Sequence, residues 1–236
     1  MTILTFLGCA LTAFGPSLAL FFLTVAKDAQ LVILMISSAF FWLISILLAS
    51  SIWFISKSDA TENPITILYS VLLQELFRWF FYKIISRAEN GLILASANPT
   101  SPYNIPTFAF VSGLGFGFVN GLVMYINPLI ISIGPGVIMC KSCPTLTLFF
   151  TGAITTCLSI LLHTTWMILA FEGYRYPKRN YYYIIWVLLS HLGSSYATMF
   201  SQSDIKSGCV IGFSINIVLL IISIVASVRT LKKKNL

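Results

Sequence analysis

The sequence predicts an all-α polytopic membrane protein, a bundle of seven transmembrane helices. Of its 236 residues, 58% are hydrophobic and only 9% are charged, and the mean hydropathy is +0.92. A soluble domain usually carries about 25% charged residues, so this chain has too few charges to cover a water-facing surface. Its long apolar runs match the roughly 20 residues that a helix needs to cross a bilayer.

Seven apolar runs are long enough to be spans, and the connections between them are short apart from residues 88–105. The predicted spans are 3–26, 29–56, 64–85, 106–133, 146–171, 181–200 and 207–228. The third is the least apolar. Pro106 can open the fourth helix, whereas Asn127-Pro128 and Gly134-Pro135-Gly136 are expected to break its far end. With no linker between the spans, residues 1–236 are predicted to form a single membrane domain.

Basic residues divide unequally between the two ends of the predicted bundle. Eleven fall on one side and three, Lys57, Lys141 and Lys206, fall on the other. The positive-inside rule then predicts a lumenal or extracellular N-terminus and a cytosolic C-terminus. The net charge of +7 is therefore explained by topology and by contact with anionic membrane lipid, and it does not indicate nucleic acid.

The five cysteines fall into two groups. Cys9, Cys157 and Cys209 lie in or beside apolar spans and are expected to be small buried hydrophobic residues. Cys140 and Cys143 form a single CxxC motif in the outer connection after the fourth span, either as a local disulfide or as two free thiols. A zinc site would need two more ligands, and no histidine is close in sequence. No metal or other cofactor is predicted.

Glu75, Arg78, His163 and His191 fall well inside the predicted spans, where ionisable groups are functional candidates. At 1.5 Å per residue, Glu75, His163 and His191 lie roughly 12–15 Å from the cytosolic ends of their spans, so we expect one polar layer. Glu75 and Arg78 are expected to form an ion pair, with Arg78 reaching toward the inner surface. The histidines favour a packing contact or a polar pocket for a partner over catalysis, metal binding or ion passage.

The fourth span carries glycines at every fourth position, Gly113, Gly117 and Gly121, which align on one face of a helix. In lipid, such a stripe lets a second helix approach at backbone distance. The stripe is interpreted as a surface that serves assembly with another subunit, with packing inside the same chain as the alternative. Gly115 lies roughly 200° around the helix from Gly117, so Gly115→Leu is expected to matter less for assembly than Gly117→Leu.

Intrinsic catalysis is not predicted. Intramembrane aspartyl proteolysis needs two facing aspartates, but Asp28, Asp59 and Asp204 fall at span ends or in connections. His163 is not followed by the pattern of an H-E-x-x-H zinc protease. The remaining alternatives to a structural role are a seven-span receptor and a small transporter that uses the polar layer.

Taken in order along the chain, several segments resemble the anterior-pharynx-defective (Aph-1) subunit family of gamma-secretase. The segments that carry the resemblance are Gly8-Cys9, Ala13 to Pro16, Phe40 to Leu43, Leu47 to Ser50, Trp53-Phe54, Leu72 to Glu75, Phe77-Arg78, Val111 to Gly121, Gly134 to Val137, Leu161 to His163 with Trp166, and Ser190 to Leu192. The stretch between Phe54 and Leu72 is shorter than is usual in that family.

The resemblance implies a non-catalytic, seven-span scaffold that pairs with nicastrin and then receives presenilin and the presenilin-enhancer subunit. The assembled complex would cleave single-span proteins such as Notch and amyloid precursor protein. By the same resemblance, Gly113, Gly117 and Gly121 match an assembly stripe, and His163 and His191 match intramembrane histidines linked to presenilin binding.

The end of the sequence carries a candidate sorting signal. Lys233 and Lys234 match a dilysine signal for retrieval to the endoplasmic reticulum, or else form only a basic cluster that flanks the membrane. The expected location is the endoplasmic reticulum and Golgi, with the assembled complex reaching the plasma membrane and endosomes.

Overall fold

A computed structural model describes residues 3–56, 64–94 and 105–232 of the chain, and the side chains of all of these except residue 56 and residues 89–94. Seven α-helices account for most of these residues. They are α1 (Ile3–Leu20), α2 (Ala29–Ser56), α3 (Pro64–Leu94), α4 (Ile105–Ile131), α5 (Leu148–Arg175), α6 (Pro177–Met199) and α7 (Gly208–Lys232). Helix α1 continues directly into a π-helical turn, Phe21–Val25.

The helices confirm the all-α class, and α3, α5, α6 and α7 extend beyond the predicted spans at their inner ends. Five helices, α1, α2, α4, α5 and α7, are long and apolar enough to cross a membrane. Helix α3 continues beyond residue 85 to Leu94, and α6 starts at Pro177, so both include charged residues that lower their hydropathy. Because proline fits the first turn of a helix, Pro177 starts α6 earlier than the apolar pattern indicates.

Helix α5 occupies the centre of the bundle. In its apolar segment 61% of the residues are buried, against 22–28% in α1, α2 and α7. It packs most extensively against α4, and it also contacts α1, α3, α6 and α7. The outer helices present apolar side chains such as Leu4, Phe54 and Leu23 on their exposed faces, as expected for surfaces that meet lipid or other helices.

The connection between α4 and α5 lies at one end of the bundle together with the start of α7. We call this the outer end, following the predicted topology, and the opposite end the inner end. Asn127-Pro128 does not break α4, which continues to Ile131. Pro128 lies in the last turn of the helix, so the helix loses only one backbone hydrogen bond and ends soon afterwards. Met139 and Thr147 then form an isolated antiparallel bridge across the connection.

The cysteine pairing differs from both alternatives considered for the CxxC motif. Cys143 is disulfide-bonded to Cys209, while Cys140 is a buried free thiol. The expectation that Cys209 is only a small buried hydrophobic residue is therefore wrong. The start of α7 packs against the outer connection, which brings the Cα atoms of Cys143 and Cys209 to 6.1 Å, within the usual range for a disulfide.

Candidate functional site

The four intramembrane ionisable residues meet inside the bundle in one connected layer. Arg78 Nη2 lies 3.5 Å from Glu75 Oε1 on the same helix and 3.1 Å from His163 Nδ1 on α5. Glu75 Oε1 lies 2.6 Å from His191 Nδ1 on α6. The predicted layer thus ties α3, α5 and α6 together at a single depth.

These contacts fix the hydrogen-bonding role of each ring. A guanidinium group can only donate, so His163 accepts at Nδ1 and carries its proton at Nε2 when neutral. An ionised carboxylate can only accept, so His191 donates from Nδ1. The two rings meet edge to face, with their centroids 5.0 Å apart and an interplanar angle of 86°. The neighbouring histidines therefore have opposite roles in one network.

Arg78 does not reach toward the inner surface, and that expectation is wrong. Its side chain is 0% exposed, and its guanidinium lies 5.2 Å from the centroid of the Phe116 ring and 5.9 Å from that of Trp166. Cation-π attraction of this kind strengthens when the cation is desolvated. The carboxylate and His163 lie deeper in the bundle, and they draw the guanidinium inward.

A cavity of about 270 Å³ extends from the two histidines toward the outer end of the bundle. It passes between several helices, and most of its polar lining consists of hydroxyl and amide groups. These polar lining residues are Thr66, Ser70, Gln74, Asn120, Thr155, Thr156, Ser159, Ser194, Ser195, Thr198 and Asn216. Most of the wall area is apolar, and these hydroxyl and amide groups provide hydrogen-bonding positions within it for water or for a polar group of a partner.

Three hydrogen bonds between helices join residues that line this cavity. Trp42 Nε1 donates to Gln74 Oε1 at 3.0 Å, which joins α2 to α3. Asn120 Nδ2 donates to Ser159 Oγ at 2.8 Å, which joins α4 to α5. A third bond, from Ser194 Oγ to Asn216 Oδ1, joins α6 to α7. Counting only ionisable residues misses these amides, although an Asn or Gln within an apolar span is a comparable signal.

One buried donor at the cavity has no protein acceptor among the described residues. Trp166 is 1% exposed and lines the cavity, and its Nε1 makes no hydrogen bond there. Its ring packs against both histidines, with centroid distances of 5.2 Å to His163 and 4.7 Å to His191. A buried N–H without an acceptor is unfavourable by about 1–3 kcal/mol, so this group is suited to a water molecule or an acceptor brought by a ligand.

The glycine stripe packs against α5 of the same chain. A Cβ atom at Gly113 would lie 2.8 Å from the Thr164 carbonyl oxygen, and one at Gly117 would lie 2.7 Å from that of Ile160. One at Gly121 would meet only the ends of the Ile160 and Thr156 side chains, at 2.8–3.0 Å. This face of α4 therefore packs inside the chain, which was the alternative interpretation of the stripe.

Gly115 does not lie on an open face, so the structure does not support the expectation that Gly115→Leu matters less than Gly117→Leu. A Cβ atom there would clash with the Met35 carbonyl oxygen and with Ser38 Oγ of α2. Helix α4 is therefore approached at backbone distance from two sides, by α5 along the stripe and by α2 at Gly115. The sequence spacing identifies which glycines share a face, but it does not show which faces a neighbour occupies.

The fold and the site together define a polytopic all-α membrane protein that contains an internally paired ionic layer beneath a cavity lined in part by hydroxyl and amide groups. Residues 4–234 match the family model described as Aph-1 protein. The chain belongs to the Aph-1 family.

Several relatives match over most of their length. The chain is 39% identical to gamma-secretase subunit APH-1B of Mus musculus over 210 residues, which is 85% of this chain and 80% of the relative. It is 38% identical to gamma-secretase subunit Aph-1b of Danio rerio over 81% of this chain and 77% of the relative. The Drosophila melanogaster gamma-secretase subunit Aph-1 is 36% identical, with 87% and 84% covered. This relationship gives no support to a receptor or a transporter.

Of the nine residues predicted to form the functional site, the stripe and the sorting signal, Lys233 and Lys234 lie outside the described part of the chain. The other seven all lie within it. Four form the ionic layer, and three form the stripe between α4 and α5.

Proposed function

We propose that this chain is a non-catalytic scaffold subunit of a gamma-secretase complex. In this role it stabilises and assembles nicastrin, presenilin and the presenilin-enhancer subunit for cleavage of single-span membrane proteins such as Notch and amyloid precursor protein. Membership of the Aph-1 family and the subunit names of its relatives support the role. The particular partners and substrates follow from the family resemblance.

The observation that carries this proposal is the internal pairing of the ionic layer. Its one carboxylate, on Glu75, already contacts Arg78 and the His191 ring. An aspartyl protease instead needs two carboxylates close enough to share a proton. A layer whose charges pair with one another fixes the arrangement of α3, α5 and α6, which is what a platform for other subunits requires.

The cavity above the layer supports a role in receiving a partner. Its lining includes hydroxyl and amide groups and the unpaired Trp166 N–H, and the two histidines form its floor. A polar group from a presenilin helix entering from the outer end would find donors and acceptors already positioned. We propose His163, His191, Glu75 and Arg78 as the residues that shape this pocket, and the stripe Gly113, Gly117 and Gly121 as the contact that keeps α4 against α5 beside it.

The proposed location is the endoplasmic reticulum and Golgi for the unassembled chain, with the assembled complex moving on to the plasma membrane and endosomes. The dilysine pair Lys233 and Lys234 would act as the retrieval signal. Basic residues at the inner end would contact anionic lipid.

Purification of the tagged chain from native membranes tests the proposal. In a mild detergent that preserves membrane complexes, we expect three other subunits to co-purify, one of them carrying two intramembrane aspartates. Recovery of the chain alone, or with unrelated proteins, would contradict the scaffold role.

The pocket is tested by His163→Ala and His191→Ala, each expected to lower the amount of co-purified presenilin while this chain remains inserted. The reason is that each change removes one ring from the pocket floor and one partner from the ionic layer. Leu189→Ala is the matched control, because Leu189 lies on α6 two residues before His191 but is 61% exposed. An unchanged yield of complex in both histidine variants would refute the pocket role.

A further inference from the structure

Three cysteines converge at the outer end of the bundle, and only two of them are bonded to each other. Cys140, Cys143 and Cys209 form one buried cluster, with side chains from Leu146 and Phe213 packed against it. Cys143 and Cys209 form the disulfide, and Cys140 is 1% exposed with a free thiol. A free thiol enclosed beside a disulfide is the arrangement from which thiol–disulfide exchange starts.

Cys143 lies within bonding reach of either neighbour. Its backbone N–H donates to the Cys140 carbonyl oxygen at 3.3 Å, which closes a turn from residue 140 to residue 143. The ends of such a turn have Cα atoms less than about 7 Å apart, and disulfides typically need about 4.4–6.8 Å. A pairing of Cys140 with Cys143 therefore needs little movement of the backbone.

Ser142 holds the three cysteines together. Its hydroxyl donates to the Ser201 carbonyl oxygen at 3.0 Å and accepts from the Cys209 backbone N–H at 2.9 Å. The same oxygen lies 3.7 Å from Cys140 Sγ and 3.9 Å from Cys143 Sγ. These bonds keep the start of α7 against the outer connection whichever pair of sulfurs is bonded.

We propose that Cys140 exchanges with the Cys143–Cys209 disulfide, so that the outer end has two interchangeable pairings. The Cys140 thiol gives its proton to water, and the thiolate attacks Cys143 Sγ. A bond between Cys140 and Cys143 forms as the bond to Cys209 breaks. The electron pair leaves on Cys209 Sγ, which takes up a proton from water. One disulfide and one thiol are present before and after, so the step needs no oxidant or reductant.

The two pairings constrain the protein differently. The Cys143–Cys209 bond links residues 66 positions apart and fastens the start of α7 to the outer connection. A Cys140–Cys143 bond is confined to one turn and leaves α7 held there by hydrogen bonds alone. Ser207, two residues before Cys209, has φ of 62°, an unfavourable backbone conformation for a residue with a side chain. Exchange removes the covalent constraint on this segment and leaves its hydrogen bonds in place, and Asn216, two turns further along α7, lines the cavity.

Digestion with trypsin distinguishes the two disulfide pairings, because Lys141 lies between Cys140 and Cys143. Complete cleavage places Cys140 in fragment 88–141, Cys143 in fragment 142–175 and Cys209 in fragment 207–229. The native pairing therefore joins 142–175 to 207–229, and the exchanged pairing joins 88–141 to 142–175. Free thiols are blocked with N-ethylmaleimide after an acid quench, and the digest is analysed by mass spectrometry without reduction.

Full-length chain in isolated membranes is incubated at about pH 8.5, near the ordinary pKa of a thiol, before the quench. We expect the 88–141 to 142–175 pair to appear, and label on Cys209 to rise several-fold above its level in Cys140→Ser. A rise of Cys209 label in wild type and Cys140→Ser alike would show that another thiol opens the bond. Absence of any rise would show that no exchange occurs, and either outcome overturns the proposal.

Two variants keep the test decisive. Cys209→Ser, treated with oxidised glutathione as the two-electron oxidant, is expected to join 88–141 to 142–175 almost completely. Two free thiols after that treatment would contradict the proposed reach of Cys140 to Cys143. Cys157→Ser removes the remaining thiol of fragment 142–175 and is expected to exchange as the wild type does. If Cys209→Ser fails to accumulate, fragment mapping of the wild type and of Cys140→Ser still decides between exchange and a fixed disulfide.

Discussion

The contact between the glycine stripe of α4 and helix α5 gives the most quantitative prediction. A Cβ atom at Gly117 would lie 2.7 Å from the Ile160 carbonyl oxygen and 3.0 Å from His163 Cβ, whereas ordinary contacts start at 3.4 Å. Because the obstacle is backbone, the helices must move apart by about 0.7 Å, which forfeits a quarter to a half of the dispersion energy at each contact nearby. We expect Gly117→Ala to destabilise the chain by about 1–3 kcal/mol.

Gly121→Ala is the matched control on the same stripe. Its Cβ would meet the ends of the Ile160 and Thr156 side chains, which can rotate away, so we expect a smaller loss of stability. For a chain of this size, 1–3 kcal/mol corresponds to a melting temperature lower by about 2–12 °C. The measurement is the loss of monodisperse protein on heating the unassembled chain in detergent, followed by size exclusion.

Two results would refute this reasoning. One is a Gly117→Ala chain that melts within about 1 °C of the wild type, which would mean that α5 is not against the stripe. The other is a Gly117→Leu chain that folds normally alone and fails only to assemble with partners. That outcome would support the first interpretation of the stripe, as a surface that contacts another subunit.

Three further predictions concern the inner side, the tail and the ionic layer. Cysteines introduced into 88–105 and 174–180 are expected to label only from the cytosol, and labelling of either from outside intact cells would contradict the seven-span topology. Replacing Lys233 and Lys234 by Ser is expected to let unassembled chain leave the endoplasmic reticulum, as followed by microscopy, and an unchanged location would leave only a membrane-flanking cluster. Arg78→Met leaves the largely buried Glu75 carboxylate without its cation, which we expect to destabilise the chain by about 3–5 kcal/mol, so little monodisperse chain should survive size exclusion. Normal recovery of Arg78→Met would show that the ion pair is dispensable.

The sequence predicts the helices and the depth of the polar layer well, because both follow from the lengths of apolar runs and from residue positions along the chain. Apolar run length indicates a span, and the rise per residue places Glu75, His163 and His191 at one level. Features that depend on which residues lie close in space are not predicted from the sequence. The direction of Arg78 is set by α5, and the crowding at Gly115 is set by α2.

Disulfide pairing is the clearest case of such a dependence. Cys140 and Cys143 are neighbours in sequence, so the CxxC motif draws attention to a local bond. The actual partner, Cys209, lies 66 residues away from Cys143 and is brought close only when α7 packs against the outer connection. No spacing rule includes that contact, since it requires α5 and α6 to be in place between the two.

The placement of Glu75 and Arg78 on a single helix also matters while the protein is being made. Arg78 precedes His163 by 85 residues and Glu75 precedes His191 by 116, so at about 5–20 residues per second the histidines emerge from the ribosome roughly 4–23 s later. During that interval α3 must enter the membrane without them. Because its carboxylate and guanidinium are three residues apart, each can neutralise the other at once. The nascent helix therefore carries its own counterion until α5 and α6 arrive.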